Sequence, residues 1–216
     1  MTRSATAVRL GIGAVAAALV VTTAAAPADA VRSTIYTKAA TVPFLEMGPM
    51  TGAPGNAHYG YLTFYDQSDG GANVLGYIFH FDCPTGFTVD PTDDFDAAAA
   101  QMEAGCSFYT DGTESLEIAD VQIHMTGGQD WSRVTGSFTS SLPTQPSVSF
   151  NLRFRGSGPI VETTRVERGS TYKNLYRDRT RSATARGTIG DLSIGDPGDL
   201  VFAGSTGRNR FVQFTW

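Results

Sequence analysis

The residues best suited to chemistry are cations concentrated in one segment, residues 165–186. This segment contains seven positively charged side chains and only two negative ones, Glu167 and Asp178. Guanidinium groups bind phosphate and sulfate through paired hydrogen bonds, and the segment's two tyrosines offer rings that stack on sugars. We therefore predict that the segment binds an anionic envelope polymer or an acidic glycan. The predicted ligand-binding residues are Arg165, Arg168, Tyr172, Lys173, Tyr176, Arg177, Arg179, Arg181 and Arg186.

Charge is segregated along the chain in a way that permits a second interpretation. Residues 31–150 contain three cations and 14 acids, a net charge of −11, whereas residues 151–216 contain 11 cations and six acids, a net charge of +5. The basic strands could therefore pair with the acidic N-terminal strands, and such exposed cross-strand ion pairs stabilise a fold only slightly. The sequence leaves both interpretations open.

The first thirty residues have the features of a secretory signal peptide. Arg3 and Arg9 form a short positive region, residues 10–21 are almost continuously apolar, and Ala28-Asp29-Ala30 has the small-x-small pattern of a cleavage site. The apolar run is too short to cross a bilayer comfortably. We expect Sec-type export and removal of this segment, which leaves an extracellular chain, residues 31–216, without a transmembrane segment.

The expected mature chain has the size of one domain and is mildly acidic. Its 186 residues are enough for a single hydrophobic core. Its 14 basic and 20 acidic residues give a net charge of −6, which argues against nucleic acid as the main partner because that binding depends on neutralising phosphates. Cys83 and Cys106 are the two cysteines, and an exported chain with an even count predicts one disulfide. The oligomeric state stays open.

Side chains that could act in catalysis or hold a metal are few and poorly spaced. The histidines His58, His80 and His124 are far apart in the chain, so they form no local metal motif, and we expect them at the surface. Residues 203–207 are similar to a nucleophile elbow, but that motif requires a following helix and a later histidine, and neither is present in the nine residues that follow. We therefore predict no catalytic residue, no metal and no cofactor.

Alternation of apolar and polar residues predicts an all-β fold. Residues 147–155 alternate without an error, which places Val148 and every second residue to Phe154 on one face of a strand. Residues 58–66 and 74–82 form two aromatic strands joined by a glycine-rich hairpin loop. The number and spacing of such segments predict an antiparallel β-sandwich or small barrel.

One segment departs from this alternation and predicts a short helix over residues 91–104. Asp90 is placed to cap its N-terminus, Pro91 suits its first turn, and Gly105 would end it. Acidic residues in a first turn complement the helix dipole, which is our interpretation of the cluster at positions 90–96, although the sequence does not decide whether this cluster binds calcium. We expect the helix to lie on the sheet, held there by the disulfide.

Together these features favour a non-catalytic extracellular binding protein or cell-envelope-associated domain. Two alternatives stay open at this point. The first is a hydrolase acting on extracellular glycan or lipid through side chains that meet only in the fold. The second is a small-ligand carrier in which the aromatic strands line the cavity of a barrel.

Overall fold

Antiparallel strands make up most of the described chain, and the all-β prediction is confirmed. The computed structural model describes residues 31–48, 55–109, 117–139, 147–195 and 200–215; the expected signal peptide lies outside them. Within these ranges the strands are β1 (Val31–Met47), β2 (Ala57–Gln67), β3 (Ala72–Asp82), β4 (Ser107–Phe108), β5 (Glu117–Met125), β6 (Trp131–Thr139), β7 (Ser147–Arg168), β8 (Tyr172–Ile189), β9 (Leu192–Ile194), β10 (Leu200–Val201) and β11 (Gly204–Thr215).

These strands form one curled sheet. Its hydrogen-bonded order is β4-β3-β2-β1-β11-β8-β7-β6-β5, with β10 added to β1 and β9 added to β8. The pairs are antiparallel throughout the described ladders. The two ends of the sheet approach each other because β3 packs against β5. The sheet therefore encloses a core in the manner of a partly closed barrel.

The core lies on the concave face of this sheet, which we call the inner face. The predicted inner side chains of β7, from Val148 to Phe154, are at most 3% exposed. Phe150 of this strand contacts Phe64 of β2, with ring centroids 4.7 Å apart, and so connects opposite sides of the sheet. Burial of each such side chain contributes about 1.5–3 kcal/mol. The alternation predicted for residues 147–155 is confirmed.

The inner side chains of β2 and β3 fill the interior instead of lining a ligand cavity. Leu62, Phe64 and Ile78 have no exposed surface. They belong to the same continuous apolar cluster as Phe150 on the far side of the sheet. A carrier needs an open volume between these strands. This packing argues against the small-ligand carrier.

The helix is present, but it begins later than the sequence predicts. Helix α1 covers Phe95–Gly105, and its N-cap is Asp94, whose side chain accepts a hydrogen bond from the Ala97 N–H at 2.9 Å. Asp90 instead accepts hydrogen bonds from the backbone and hydroxyl of Thr92, which form a local turn. That turn competes with helix formation over residues 91–93. Among the described residues, no helix is long and apolar enough to cross a membrane.

Helix α1 covers the outer face of β2 and β3. Ala98 and Met102 have no exposed surface and pack in a second apolar cluster with Phe81. The disulfide between Cys83 and Cys106 ties the end of the helix to the end of β3, as predicted. These two strands are therefore buried on both faces near Phe81, whereas Tyr61 and Leu75, further along the same outer face, are exposed.

The β7–β8 hairpin is longer than the sequence predicts. The ladder between the two strands continues to Arg168 opposite Lys173, and the Gly169 N–H donates to the Tyr172 carbonyl at 2.9 Å to close the tip. Tyr172 and Tyr176 lie on β8. Pairing of residues 161–168 with residues 173–180 extends both strands. The pattern of residues within each strand does not reveal this pairing between strands.

The disulfide should contribute measurably to stability. Closing a loop with a sequence separation of 23 residues removes conformational entropy from the unfolded chain, a stabilisation of about 3 kcal/mol on the chain-entropy model. We predict that the C83A/C106A variant loses about this much free energy of unfolding, measured by urea denaturation. Reduction of the unaltered protein should give a similar loss. Equal urea midpoints for oxidised, reduced and variant proteins would contradict the prediction.

Candidate functional site

The structure divides the nine predicted ligand-binding residues among three places. Side chains alternate between the two faces of β8, and Ala183 and Ala185 fix which face is inner because they lie in the core. Arg186 lies on the opposite, outer face. The remaining predicted residues form a hairpin-tip group and an inner-face group. The tip group is Arg165, Arg168, Tyr172, Lys173 and Tyr176, and the inner-face group is Arg177, Arg179 and Arg181.

Side chains at the hairpin tip largely contact one another. The Arg165 guanidinium lies 4.3 Å from the centroid of the Tyr176 ring and 3.4 Å from a Glu167 carboxylate oxygen. The Tyr176 hydroxyl donates to Glu167 at 3.0 Å, which raises the pKa of Tyr176. The other side of the tyrosine ring is near Phe211, with centroids 5.1 Å apart. The Tyr176 ring is thus already engaged, which leaves little of it for stacking on a sugar.

The inner-face arginines are held by nearby acceptors. Arg177 and Arg179 both pair with Glu162, at 3.0 and 2.7 Å, and these contacts lower the pKa of that carboxyl. Arg181 pairs with Asp130 and donates to the carbonyls of Gly128, in the turn before β6, and Gly158, at the register irregularity of β7. Glu162 lies on β7, within the basic half of the chain. The expectation that the arginines pair with the acidic half is therefore met by Asp130 and not by Glu162.

Two further cations on the inner face close the seam of the sheet. The Lys38 ammonium donates to Asp66 and to the Ile123 carbonyl, each at 3.0 Å. Arg208 donates to the Met125 carbonyl at 2.7 Å. Both carbonyls belong to β5, whose far edge has no hydrogen-bonded strand within the described ranges. These cations satisfy carbonyl groups of an otherwise exposed edge, which is a structural role.

The outer face carries an arrangement that the sequence analysis only partly anticipated. Arg133, Arg153 and Arg186 lie on the neighbouring strands β6, β7 and β8 and are directly opposite one another in the register. We call these three residues the outer arginine row. His124 of β5 extends the row by one strand. The sequence analysis identified Arg186 alone among these residues.

Trp131 lies beside the outer arginine row on β6, two residues before Arg133. Its side chain is 38% exposed, and its ring meets His124 edge-on at a centroid distance of 5.8 Å. Arg155 lies opposite it in the register. Two shallow depressions, of about 420 and 390 Å³, meet at this tryptophan; Arg153 and Arg186 line the first, and Arg133 lines the second. The outer face therefore combines an aromatic ring with several guanidinium groups.

The cations of this face have no neutralising carboxylate among the described residues. In the part of the chain that the structure describes, no carboxylate forms an ion pair with Arg155 or with any member of the outer arginine row. Arg133 donates through Nε to the Asn151 side chain at 3.1 Å, which is a neutral contact. Like charges directly opposite each other on a sheet are destabilising, by a few tenths of a kcal/mol to about 1 kcal/mol. The stability of the sheet therefore does not explain the row.

The prediction that His58 and His80 lie at the surface is wrong. Both are completely buried, and their Nδ1 atoms are 2.7 Å apart. The outer face of these strands is covered by helix α1, and the alternate residues, which include both histidines, point into the core. The Gly48 carbonyl lies 3.0 Å from His58 Nε2 and must accept its proton, so a neutral His58 offers Nδ1 as an acceptor to the His80 N–H.

This histidine pair is sensitive to protonation but is shielded from substrates. Burial and the neighbouring His80 lower the pKa of His58 to about 4. Two N–H groups cannot share one short Nδ1–Nδ1 contact, so the pair accommodates at most one positive charge. Glu46 lies opposite His58 in the register of β1 and β2. With no exposed surface on either ring, we assign the pair to the core and not to catalysis.

We predict that this pair makes the fold acid-sensitive. Folding lowers the pKa of His58 from 6.5 to about 4, so in this pH range the unfolded chain binds a proton that the folded protein does not. The free energy of unfolding is therefore highest above pH 6.5 and decreases as the pH falls from about 6.5 to about 4. The full loss is on the order of 3 kcal/mol. H58Q, which keeps a donor toward Gly48, should flatten the pH dependence of unfolding free energy across this window. H124Q, at the exposed histidine, is the matched control. Parallel profiles for H58Q and the unaltered protein would disprove the assignment.

Comparison with known proteins shows no family for this chain. No family model matches it, and no curated protein sequence matches it. Among solved structures, an acetoacetate decarboxylase-like enzyme from Sphingomonas wittichii RW1 aligns over 87% of this chain and 91% of its own, with 10% identity and a TM-score of 0.30. The enduracididine biosynthesis enzyme MppR aligns over 84% and 87%, with 8% identity and a TM-score of 0.26. Scores this low carry no inference about fold or activity.

Proposed function

We propose that this protein is a non-catalytic binding protein of the extracellular space or cell envelope and that it holds an anionic polysaccharide on the outer arginine row. One observation carries the proposal: three adjacent guanidinium groups lie on one sheet face without a carboxylate partner in the described residues. Such groups attract anions at long range and bind sulfate or carboxylate groups bidentately. The signal-like N-terminus supports an extracellular partner.

The shape of this face suits an extended ligand. Neighbouring strands are about 4.8 Å apart, so the row presents cations at regular intervals across the sheet. Its two depressions are shallow and meet at Trp131, so a chain can lie across them without entering a closed pocket. An exposed tryptophan ring beside the charges offers an apolar surface to the face of a sugar. Together these features favour a charged glycan over a small metabolite.

The net charge of the chain makes this proposal testable. A protein with a formal net charge of −5 should flow through an anionic polysaccharide resin unless its cations are concentrated on one surface. Attraction between exposed charges is screened by salt, so retention through the outer arginine row should decrease as ionic strength rises. Retention that is insensitive to salt would indicate an apolar contact instead.

We predict that the R153Q/R186Q variant binds heparin more weakly than the unaltered protein does. Removing two contacting cations should reduce the slope of log affinity against log salt concentration by about two, because about two fewer counterions are released. W131A should weaken binding with little change in that slope. The measurements are affinity chromatography and fluorescence titration across a salt series, with melting temperatures recorded for every variant.

The matched control is R165Q/R168Q, which removes the same charge at the hairpin tip. It should bind heparin as the unaltered protein does. If both double variants lose affinity equally, binding follows total charge and the outer arginine row is not the site. Tighter binding to single-stranded nucleic acid than to heparin would replace the proposed ligand class with another one.

A further inference from the structure

The inner face contains a pocket lined by four guanidinium groups. Arg177 and Arg179 of β8 and Arg208 and Arg210 of β11 line an open depression of about 210 Å³, together with Tyr36 of β1 and Asn209 of β11. The pocket lies on the face of β8 opposite to the outer arginine row. The sequence analysis identified the two arginines of β8 but not those of β11.

The four arginines form two like-charged pairs. In the register of β8 and β11, Arg177 is opposite Arg210 and Arg179 is opposite Arg208. Directly opposed like charges destabilise a sheet. Glu162 is the carboxylate that pairs with them in the described residues, and it contacts only the two arginines of β8. The pocket therefore retains a strong excess of positive charge.

The β11 arginines contribute the unsatisfied groups of this pocket. The Nε atoms of Arg208 and Arg210 are buried and have no hydrogen-bond partner within the described residues. The Arg210 guanidinium lies 5.7 Å from the centroid of the Tyr36 ring, which holds it in place without neutralising it. Nearly all buried polar groups are hydrogen-bonded in native proteins, and an anion bound in the depression would supply the acceptor that these donors lack within the described residues.

We infer that this pocket binds one tetrahedral oxyanion, phosphate or sulfate, either free or as the terminal group of a monoester. A planar guanidinium donates two parallel hydrogen bonds to such a group, and Arg210 has no carboxylate partner among the described residues. The depression of about 210 Å³ has room for one tetrahedral anion. The inference does not depend on the polysaccharide proposal, because the two sites share no residue.

Titration calorimetry with inorganic phosphate at constant ionic strength tests the inference. The unaltered protein should bind phosphate saturably with one site, sulfate should compete, and chloride should not. R210Q should lower the affinity for phosphate at least tenfold. R210K, which keeps the charge but loses the planar fork, should bind with intermediate affinity. Glycerol 3-phosphate distinguishes the two sources of the anion, because a terminal-phosphate site binds it as tightly as it binds free phosphate.

Stability measurements separate a binding role from a structural one. If the arginine pairs serve an anion, R210Q should unfold at the same or a higher urea concentration than the unaltered protein in chloride buffer, because a like charge has been removed. The R153Q/R186Q variant should keep full phosphate affinity. Absence of saturable phosphate binding, or full affinity in R210Q, would overturn the inference. Loss of phosphate binding in R153Q/R186Q alone would place the anion on the outer face and would leave the polysaccharide proposal intact.

Discussion

The alternation of side chains along the long β7–β8 ladder is the constraint on which the rest of the structure depends. A register shift of one residue would move every side chain of a strand to the opposite face. Ala183 and Ala185 fix the register of β8 because both side chains are buried in the core, which lies on the inner face of the sheet. The positions of Arg177 and Arg179 on the inner face, and of Arg186 on the outer face, then follow from parity alone.

Cations on this scaffold fall into groups with different physical roles. Lys38 and Arg208 donate to carbonyl groups of β5 and thereby close the seam of the sheet. Arg181 is held by Asp130 and by the carbonyls of Gly128 and Gly158, so it connects the turn before β6 to the irregular part of β7. Exposed ion pairs of this kind contribute at most about 1 kcal/mol each. Arg153 and Arg210 have no carboxylate partner in the described residues, so folding does not explain them, and each proposed site contains one of them. The other arginines of the inner pocket, Arg177, Arg179 and Arg208, also make contacts that stabilise the fold.

Local patterns in the sequence predict the parts of this fold that depend on neighbouring residues. The alternation around Phe150, the disulfide and the presence of a single helix were all recoverable in this way. The start of the helix was not, because the side chain of Asp90 satisfies a turn as well as it would satisfy a helix N-terminus. The burial of His58 was also missed, because the helix that covers the other face of its strand is distant in sequence.

Both candidate sites depend on strand order, which local patterns do not reveal. The C-terminal strand β11 lies between β1 and β8, and this placement alone brings Arg210 beside Arg177. Likewise, the polar face of residues 147–155 already contained Arg153, but only the pairing of β6, β7 and β8 aligns it with Arg133. The charge segregation pointed to the half of the chain that contains most of these arginines, although Arg133 lies in the acidic half, and it could not resolve them into two faces.

The central claim is that opposite faces of one hairpin carry two separate anion sites. Nuclear magnetic resonance of the arginine Nε–H groups tests it most directly, with a sulfated oligosaccharide and inorganic phosphate titrated separately. We predict that the oligosaccharide shifts the resonances of the outer arginine row and that phosphate shifts those of Arg208 and Arg210. Shifts of the same set of arginines by both ligands, or of neither set, would contradict the account.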